Sequence, residues 1–195
     1  AADAVSPLLA PWVGPYGGVL PFDQVKVVDL KPGLETGMAR QLAEIDRIAN
    51  DPAAPTFENT IAAMERTGRT LDRVGTVYGI YSSTLNDEAV QAVEREMAPK
   101  LAAFSDQITQ NPQLFERIAK VYETRETSGL TPEQQRITWV YYTNFVLSGA
   151  KLDAEAKKQL SQINQQLASL YTKFAQNVLA DENDQQIALE SEAEL

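Results

Sequence analysis

The residue types that carry most enzymatic chemistry are missing from this chain, whose 195 residues include no histidine and no cysteine. A zinc site built from Cys or His, a Ser-His-Asp triad and a Cys-His nucleophile are therefore excluded within this sequence. Near neutral pH, only carboxylates or lysines with strongly shifted pKa values remain as proton carriers. From the residues alone we predict no catalytic residue, no cofactor-binding residue and no metal ligand in this chain.

One short string matches a catalytic motif. Ser148-Gly149-Ala150-Lys151 has the S-x-x-K spacing of penicillin-recognising enzymes. That chemistry also needs S-D-N and K-T-G elements, and neither string occurs here. The four residues therefore indicate the end of a helix, with Gly149 as its cap.

A second string matches part of a calcium-binding loop. Asp181, Asn183 and Glu192 stand at positions 1, 3 and 12 of such a loop, but Gln186 replaces the glycine that the turn requires. The segment is interpreted as a solvated acidic turn.

Three arginines form the remaining candidate for binding. Arg66, Arg69 and Arg73 are three and four residues apart, a spacing that predicts one shared face of a helix. Such a face could attract a carboxylate or the C-terminus of a peptide. The competing interpretation is an ordinary solvated helix surface, because exposed charges rarely carry function.

The charge balance argues against two classes of partner. With 17 basic and 27 acidic residues, the chain has a net charge of −10. Nucleic acids and anionic membranes both require a basic surface, so we predict neither as a partner.

No apolar run approaches the ~20 residues that span a bilayer, which predicts a soluble protein of the cytoplasm or the periplasm. The start at Ala1 rather than Met favours processing of an exported parent or a cleaved tag.

The hydrophobic pattern predicts an all-α fold of about six long helices in an antiparallel, bundle-like arrangement. A Pro- and Gly-rich extended arm over 1–28 precedes a helical domain over 29–180 and an acidic segment over 181–195. The predicted helices span about 30–49, 56–84, 87–108, 111–122, 131–147 and 153–180, with one short strand at 186–189. Pro99 predicts a kink near residue 95 in the third helix. The last helix has Leu160, Ile163, Leu167, Leu170 and Phe174 at the alternating spacing of a coiled-coil seam.

Several segments resemble the amino-terminal region of the peptidyl-dipeptidase (dipeptidyl carboxypeptidase) and oligopeptidase A group of zinc metallopeptidases, relatives of thimet oligopeptidase. EIDRIANDPAAPTFENTIAAMERTG at 44–68 is the most specific of them. Seven further segments resemble the family, and all eight occur in the same order as in its members. They are SPLLAPW at 6–12, GPYGGVLPFDQV at 14–25, EMAPKLAAFSDQI at 96–108, NPQLFERI at 111–118, LTPEQQRI at 130–137, FVLSGAKLD at 145–153 and LASLYTKFAQNVLADEN at 167–183. The peptidyl-dipeptidase branch is the more similar one.

The resemblance implies a largely helical enzyme with a deep channel that admits short peptides, and with one zinc held by a His-Glu-x-x-His helix and a later glutamate. No such motif occurs in these 195 residues. We therefore expect an N-terminal fragment that is inactive alone, contributes channel wall and excludes large substrates, with zinc and the catalytic C-terminal half supplied by the rest of the parent. Arg66, Arg69 and Arg73 are candidate contributors to the electrostatics of the channel.

Two alternatives remain open from the sequence: a stand-alone helical protein-interaction module, and a regulatory fragment that pairs with a separately made catalytic half. If a large part of the fold is missing, apolar surface should be exposed, which predicts some self-association of the isolated chain.

Overall fold

A computed structural model describes residues 6–15, 18–20, 22–184 and 191 of the chain. Within these residues the fold is all-α, as predicted, with six helices of 13 residues or more and one isolated β-bridge between Val13 and Val19. A 3₁₀ turn spans Phe22–Gln24 and a π-helical segment spans Phe57–Ala62. The α-helices are α1 (Val27–Ala49), α2 (Ala63–Glu65), α3 (Arg69–Thr84), α4 (Glu88–Thr109), α5 (Pro112–Thr124), α6 (Pro132–Leu147) and α7 (Ala154–Asp184).

Helix starts follow the capping residues in the sequence. The Asn111 side chain accepts a hydrogen bond from the backbone N–H of Leu114 at 2.9 Å, directly before Pro112 at the first position of α5. Thr131 and Gln134 form the predicted capping box at the start of α6. Because each cap satisfies backbone donors that the first helical turn leaves unpaired, local sequence is enough to place these boundaries.

The prediction of one continuous helix over 56–84 is wrong. The chain leaves the helix after Glu65, and Gly68 adopts a left-handed conformation with φ of +79° before α3 begins at Arg69. The backbone N–H of Gly68 donates to a carboxylate oxygen of Glu44 at 2.8 Å. A Cβ at this position would lie 2.6 Å from the Gln41 amide nitrogen, which is the end of a side chain that can move aside, so it is the positive φ that favours glycine.

Two apolar clusters make up the core, and α1 contributes to both. The first joins the N-terminal arm, the first half of α1, α3 and α4; the second joins the end of α1, the π-helical segment, α5 and α6. Close packing of α1 on α3 depends on Gly37, where a Cβ would stand 2.9 Å from the Cα of Leu71. The long α1 thus ties the two halves of the fold together.

The N-terminal arm packs into the first cluster. Leu8 is completely buried, and its side chain covers Gly33 of α1. Further along the chain, the Tyr81 hydroxyl donates to the Val25 carbonyl at 3.0 Å. The arm is therefore anchored at both of these points to the helices beneath it.

Three further predictions concern the second half of the chain. Helix α4 runs without interruption past Pro99, and the predicted kink stays a prediction. The strand predicted at 186–189 lies outside the described residues. Asp181 and Asn183 belong to the last turn of α7, so the interpretation of this segment as an acidic turn is wrong for these two residues.

Candidate functional site

The most distinctive surface of the fold is carried by α7, a helix of 31 residues without a single buried residue. It lies along α4 and is held there by polar groups. The Asn164 amide donates to the carboxylate of buried Asp106 at 2.8 Å, and the Gln176 amide donates to the Gln91 carbonyl at 3.1 Å. Lys157 Nζ donates to the Gln110 carbonyl at 3.0 Å near the other end. The side of α7 that meets α4 therefore carries polar anchoring groups along its length.

The apolar side of α7 faces outward. We call this surface the α7 apolar face; its residues and their exposed fractions are Ile163 (51%), Leu167 (42%), Leu170 (61%), Tyr171 (70%), Phe174 (68%) and Val178 (39%). At a rise of 1.5 Å per residue the face is about 22 Å long. It includes four of the five residues of the predicted seam, so the apolar stripe is present as the spacing predicts, but no described helix packs against it as a coiled-coil partner would.

A third side of α7 is also exposed but polar. It contains Gln162, Gln166, Lys173 and Asn177. At 3.6 residues per turn, the α7 apolar face points roughly 130° away from the side that meets α4. Amphipathic helices in globular proteins normally turn their apolar side to the core, so α7 is oriented opposite to that rule.

The three arginines predicted to share one helix face do not share a helix, so that prediction is wrong. Arg66 follows α2 and pairs with Glu58 at 2.5 Å, whereas Arg69 and Arg73 belong to α3 beyond the break at Gly68. The Arg73 guanidinium lies 5.5 Å from the ring centroid of Trp12. Arg69 is exposed, and its guanidinium has no ion-pair or hydrogen-bond partner among the described residues.

The S-x-x-K string does not place its two side chains together on a helix. Helix α6 ends at Leu147, Ser148 is its C-cap, and Gly149 has the positive φ of +91° expected of a glycine after a helix end. Lys151 Nζ lies 5.2 Å from the centroid of the Tyr142 ring. The interpretation as a capped helix end is confirmed.

The fold shifts the pKa values of Glu96, Lys100 and Tyr141, and the direction of each shift decides whether the group suits acid–base catalysis. Hydrogen bonds from Lys31 and Lys100 lower the pKa of Glu96, and a hydrogen bond to Glu35 raises the pKa of Lys100. Burial raises the pKa of Tyr141, as does its hydroxyl's hydrogen bond to the Glu65 carboxylate at 2.5 Å. Each of these shifts moves the group further from neutral pH, whereas a general acid or base works best with a pKa near the working pH.

A metal site without His or Cys would need several carboxylates close together. In the described part of the chain, no three Asp or Glu side chains group together in a way that could hold a metal ion. Nor does any described helix carry the apolar stretch that a membrane crossing requires.

Comparison with known proteins agrees with the resemblance read from the sequence. The chain is 34% identical to dipeptidyl carboxypeptidase of Salmonella typhimurium over 177 residues, which cover 91% of this chain and 26% of that protein. It is similar in sequence to dipeptidyl carboxypeptidases and to oligopeptidase A. The dipeptidyl carboxypeptidase of Escherichia coli is also 34% identical over 87% of the chain, and oligopeptidase A of Haemophilus influenzae is 24% identical over 91%. No protein-family model matches the chain.

The match covers most of this chain but only a small part of each relative. The chain spans about a quarter of the length of these curated relatives. The greater part of each relative therefore has no counterpart in the present 195 residues.

Sequence reasoning missed the polar contacts that orient α7. Asp106 and Asn164 sit within otherwise ordinary helical patterns, and no local signal marks them as partners 58 positions apart. A signal was present on α7 itself, where Lys157, Ser161, Asn164 and Ala168 form a second stripe of polar and small residues at heptad spacing.

Proposed function

We propose that this chain is the N-terminal helical region of a longer peptidase of the dipeptidyl carboxypeptidase and oligopeptidase A type. The observation that carries the proposal is the 34% identity over 91% of this chain to a relative of which it spans only 26%. In this proposal the whole protein hydrolyses short peptides and releases dipeptides from a free C-terminus. The present chain forms part of the wall that restricts the size of the substrate.

The residues of this chain do not fit a catalytic zinc. The resemblance implies a zinc held through histidines, and this sequence has none. We therefore assign the metal, the general base and the bond-breaking step to residues outside these 195, and derive no catalytic step from the chain itself.

The arginines enter the proposal as contributors to electrostatics. Arg66 is paired with Glu58 and Arg73 lies over Trp12, whereas Arg69 is unpaired and exposed within the described structure. Of the three, Arg69 is the one whose charge is available to attract the C-terminal carboxylate of a peptide.

The direct test compares the 195-residue chain with the longer protein encoded by the same reading frame. Both are assayed on a short N-blocked peptide with a free C-terminus, with and without a metal chelator. We expect chelator-sensitive release of a dipeptide by the longer protein and no hydrolysis by the short chain. Hydrolysis by the short chain, or a longer protein that fails to cleave, would contradict the proposal.

A second function, a stand-alone helical interaction module, is favoured by one observation: the exposed α7 apolar face is a surface on which a separate partner could bind. The reading frame discriminates between the two. Continuation past Leu195 into a His-Glu-x-x-His motif supports the peptidase, and a stop codon at that position supports the module.

A further inference from the structure

The orientation of α7 calls for an explanation, because it departs from the usual arrangement of an amphipathic helix. A helix that could rotate about its own axis would bury Leu167, Leu170 and Phe174 and expose its amides and charges. Instead, specific hydrogen bonds hold the polar side against α4. The Gln176 amide contacts the Glu94 carboxylate at 3.0 Å in addition to the Gln91 carbonyl, and its oxygen accepts from Arg95 at 2.9 Å.

These polar anchors are distributed along most of the helix. Lys157, Asn164 and Gln176 contact α4 or the residue that follows it, over roughly 29 Å of helix axis at 1.5 Å per residue. Anchors at both ends and in between fix the rotation of α7 along its length. The outward position of the apolar face is thus set by the fold and is not a local deviation at one turn.

We propose that the α7 apolar face is the docking surface for the part of the longer protein that follows this chain, which packs an apolar surface of matching length against Ile163, Leu167, Leu170, Tyr171, Phe174 and Val178. The inference rests on the proposed function, since it requires that further residues exist. In the relatives about three quarters of the length lies outside the matched region, which is ample chain to cover one helix face.

Two observations favour this occupant over a second copy of the chain. First, α7 is the last described helix and ends at Asp184, so a polypeptide that continues from it is tethered close to the face and has a high effective concentration there. Second, each copy carries a net charge of −10, which opposes the approach of two copies, so the predicted self-association of the isolated chain needs a higher concentration than docking of a tethered segment does.

The proposal predicts that the two exposed sides of α7 behave differently. The α7 apolar face should become covered, whereas the polar side with Gln162 and Lys173 should stay in contact with solvent. Phe174 and Lys173 are neighbours in sequence with similar backbone surroundings, but they lie on different sides of the helix. They form a matched pair for an accessibility measurement.

The experiment measures maleimide labelling of single engineered cysteines, F174C and K173C, in the longer protein and in the 195-residue chain. The short chain has no native cysteine, and peptide-resolved mass spectrometry separates the engineered site from any cysteine elsewhere in the longer protein. In the dilute short chain we expect both sites to react at similar rates. In the longer protein we expect F174C to react at least about tenfold more slowly than K173C, at a ratio that does not change on dilution.

Three results would overturn the inference: equal labelling of both sites in the longer protein, protection of F174C that disappears on dilution and so reveals a second copy, or protection of F174C in the dilute short chain. Hydroxyl-radical footprinting of Leu170 and Tyr171 in the unsubstituted proteins gives the same comparison if a substitution impairs folding. Neither readout uses catalysis. A longer protein with no peptidase activity but a protected F174C would therefore refute the proposed function alone, and an active peptidase with an open F174C would refute this inference alone.

Discussion

Truncation of Leu8 to alanine tests whether the N-terminal arm belongs to the core. The Leu8 side chain is completely buried in the first cluster, where it approaches Gly33 of α1 so closely that a Cβ there would stand 3.1 Å from its Cδ1. The backbones around Leu8 belong to the long helices α1 and α3, which pack closely on each other. They therefore cannot move in to fill the space left by three missing carbon atoms. The substitution should therefore leave a cavity in the interior of the fold.

The expected magnitude follows from that burial. Leu-to-Ala changes at fully buried, poorly collapsible sites cost about 3 kcal/mol of unfolding free energy, within a range of roughly 2–5 kcal/mol. For a chain of this size each kcal/mol lowers the melting temperature by roughly 2–4 °C. We therefore expect L8A to melt about 6–12 °C below the parent chain.

The measurement is thermal and urea unfolding followed by far-ultraviolet circular dichroism, with V13A as the control in the same arm. Val13 is 77% exposed, so its truncation should change stability by less than about 0.5 kcal/mol. An L8A variant within about 1 kcal/mol of the parent chain would refute the reasoning, because it would mean that the arm only rests on the surface.

Two more predictions concern polar side chains, the buried Arg117 and the half-buried Tyr141. Arg117, only 6% exposed, donates to the carbonyls of Asp51 and Ala53 at 2.7 and 3.0 Å. The R117M substitution should lower the unfolding free energy measured in urea by about 3 kcal/mol, because it leaves those acceptors without their donor. A loss below about 1 kcal/mol would contradict this role. The folded-state pKa of Tyr141 is raised above its ordinary value of 10.0, so the stability that it contributes is complete below pH 10 and is lost as the pH rises beyond it. Y141F should therefore reduce the fall in melting temperature between about pH 9 and 11, although not abolish it, because the pKa of Tyr78 is raised as well; an unchanged alkaline slope would show that Tyr141 does not titrate with unfolding.

The sequence predicted those parts of the fold that local interactions decide. Caps such as Asn111 and Thr131 and the stop at Gly149 act within one or two helical turns, so the helix boundaries near them were predicted correctly. The resemblance to the peptidase family was likewise visible in segments distributed along the chain. In contrast, the break at Gly68 was missed because the apolar stripe continues in sequence on both sides of it, and its conformation is stabilised by Glu44 from another helix.

The sequence by itself determined that α7 is a long helix with an apolar stripe, and that no His- or Cys-based chemistry takes place within these residues. Only the tertiary structure decided which side of α7 meets α4. The hydrophobic pattern favours burial of Leu170 and Phe174, but the hydrogen bonds of Asn164 and Gln176 require partners on α4 that come together only in the folded chain. Because a buried Asp106 without a donor would be costly, these long-range polar contacts fix the rotation of the helix and leave its apolar face open.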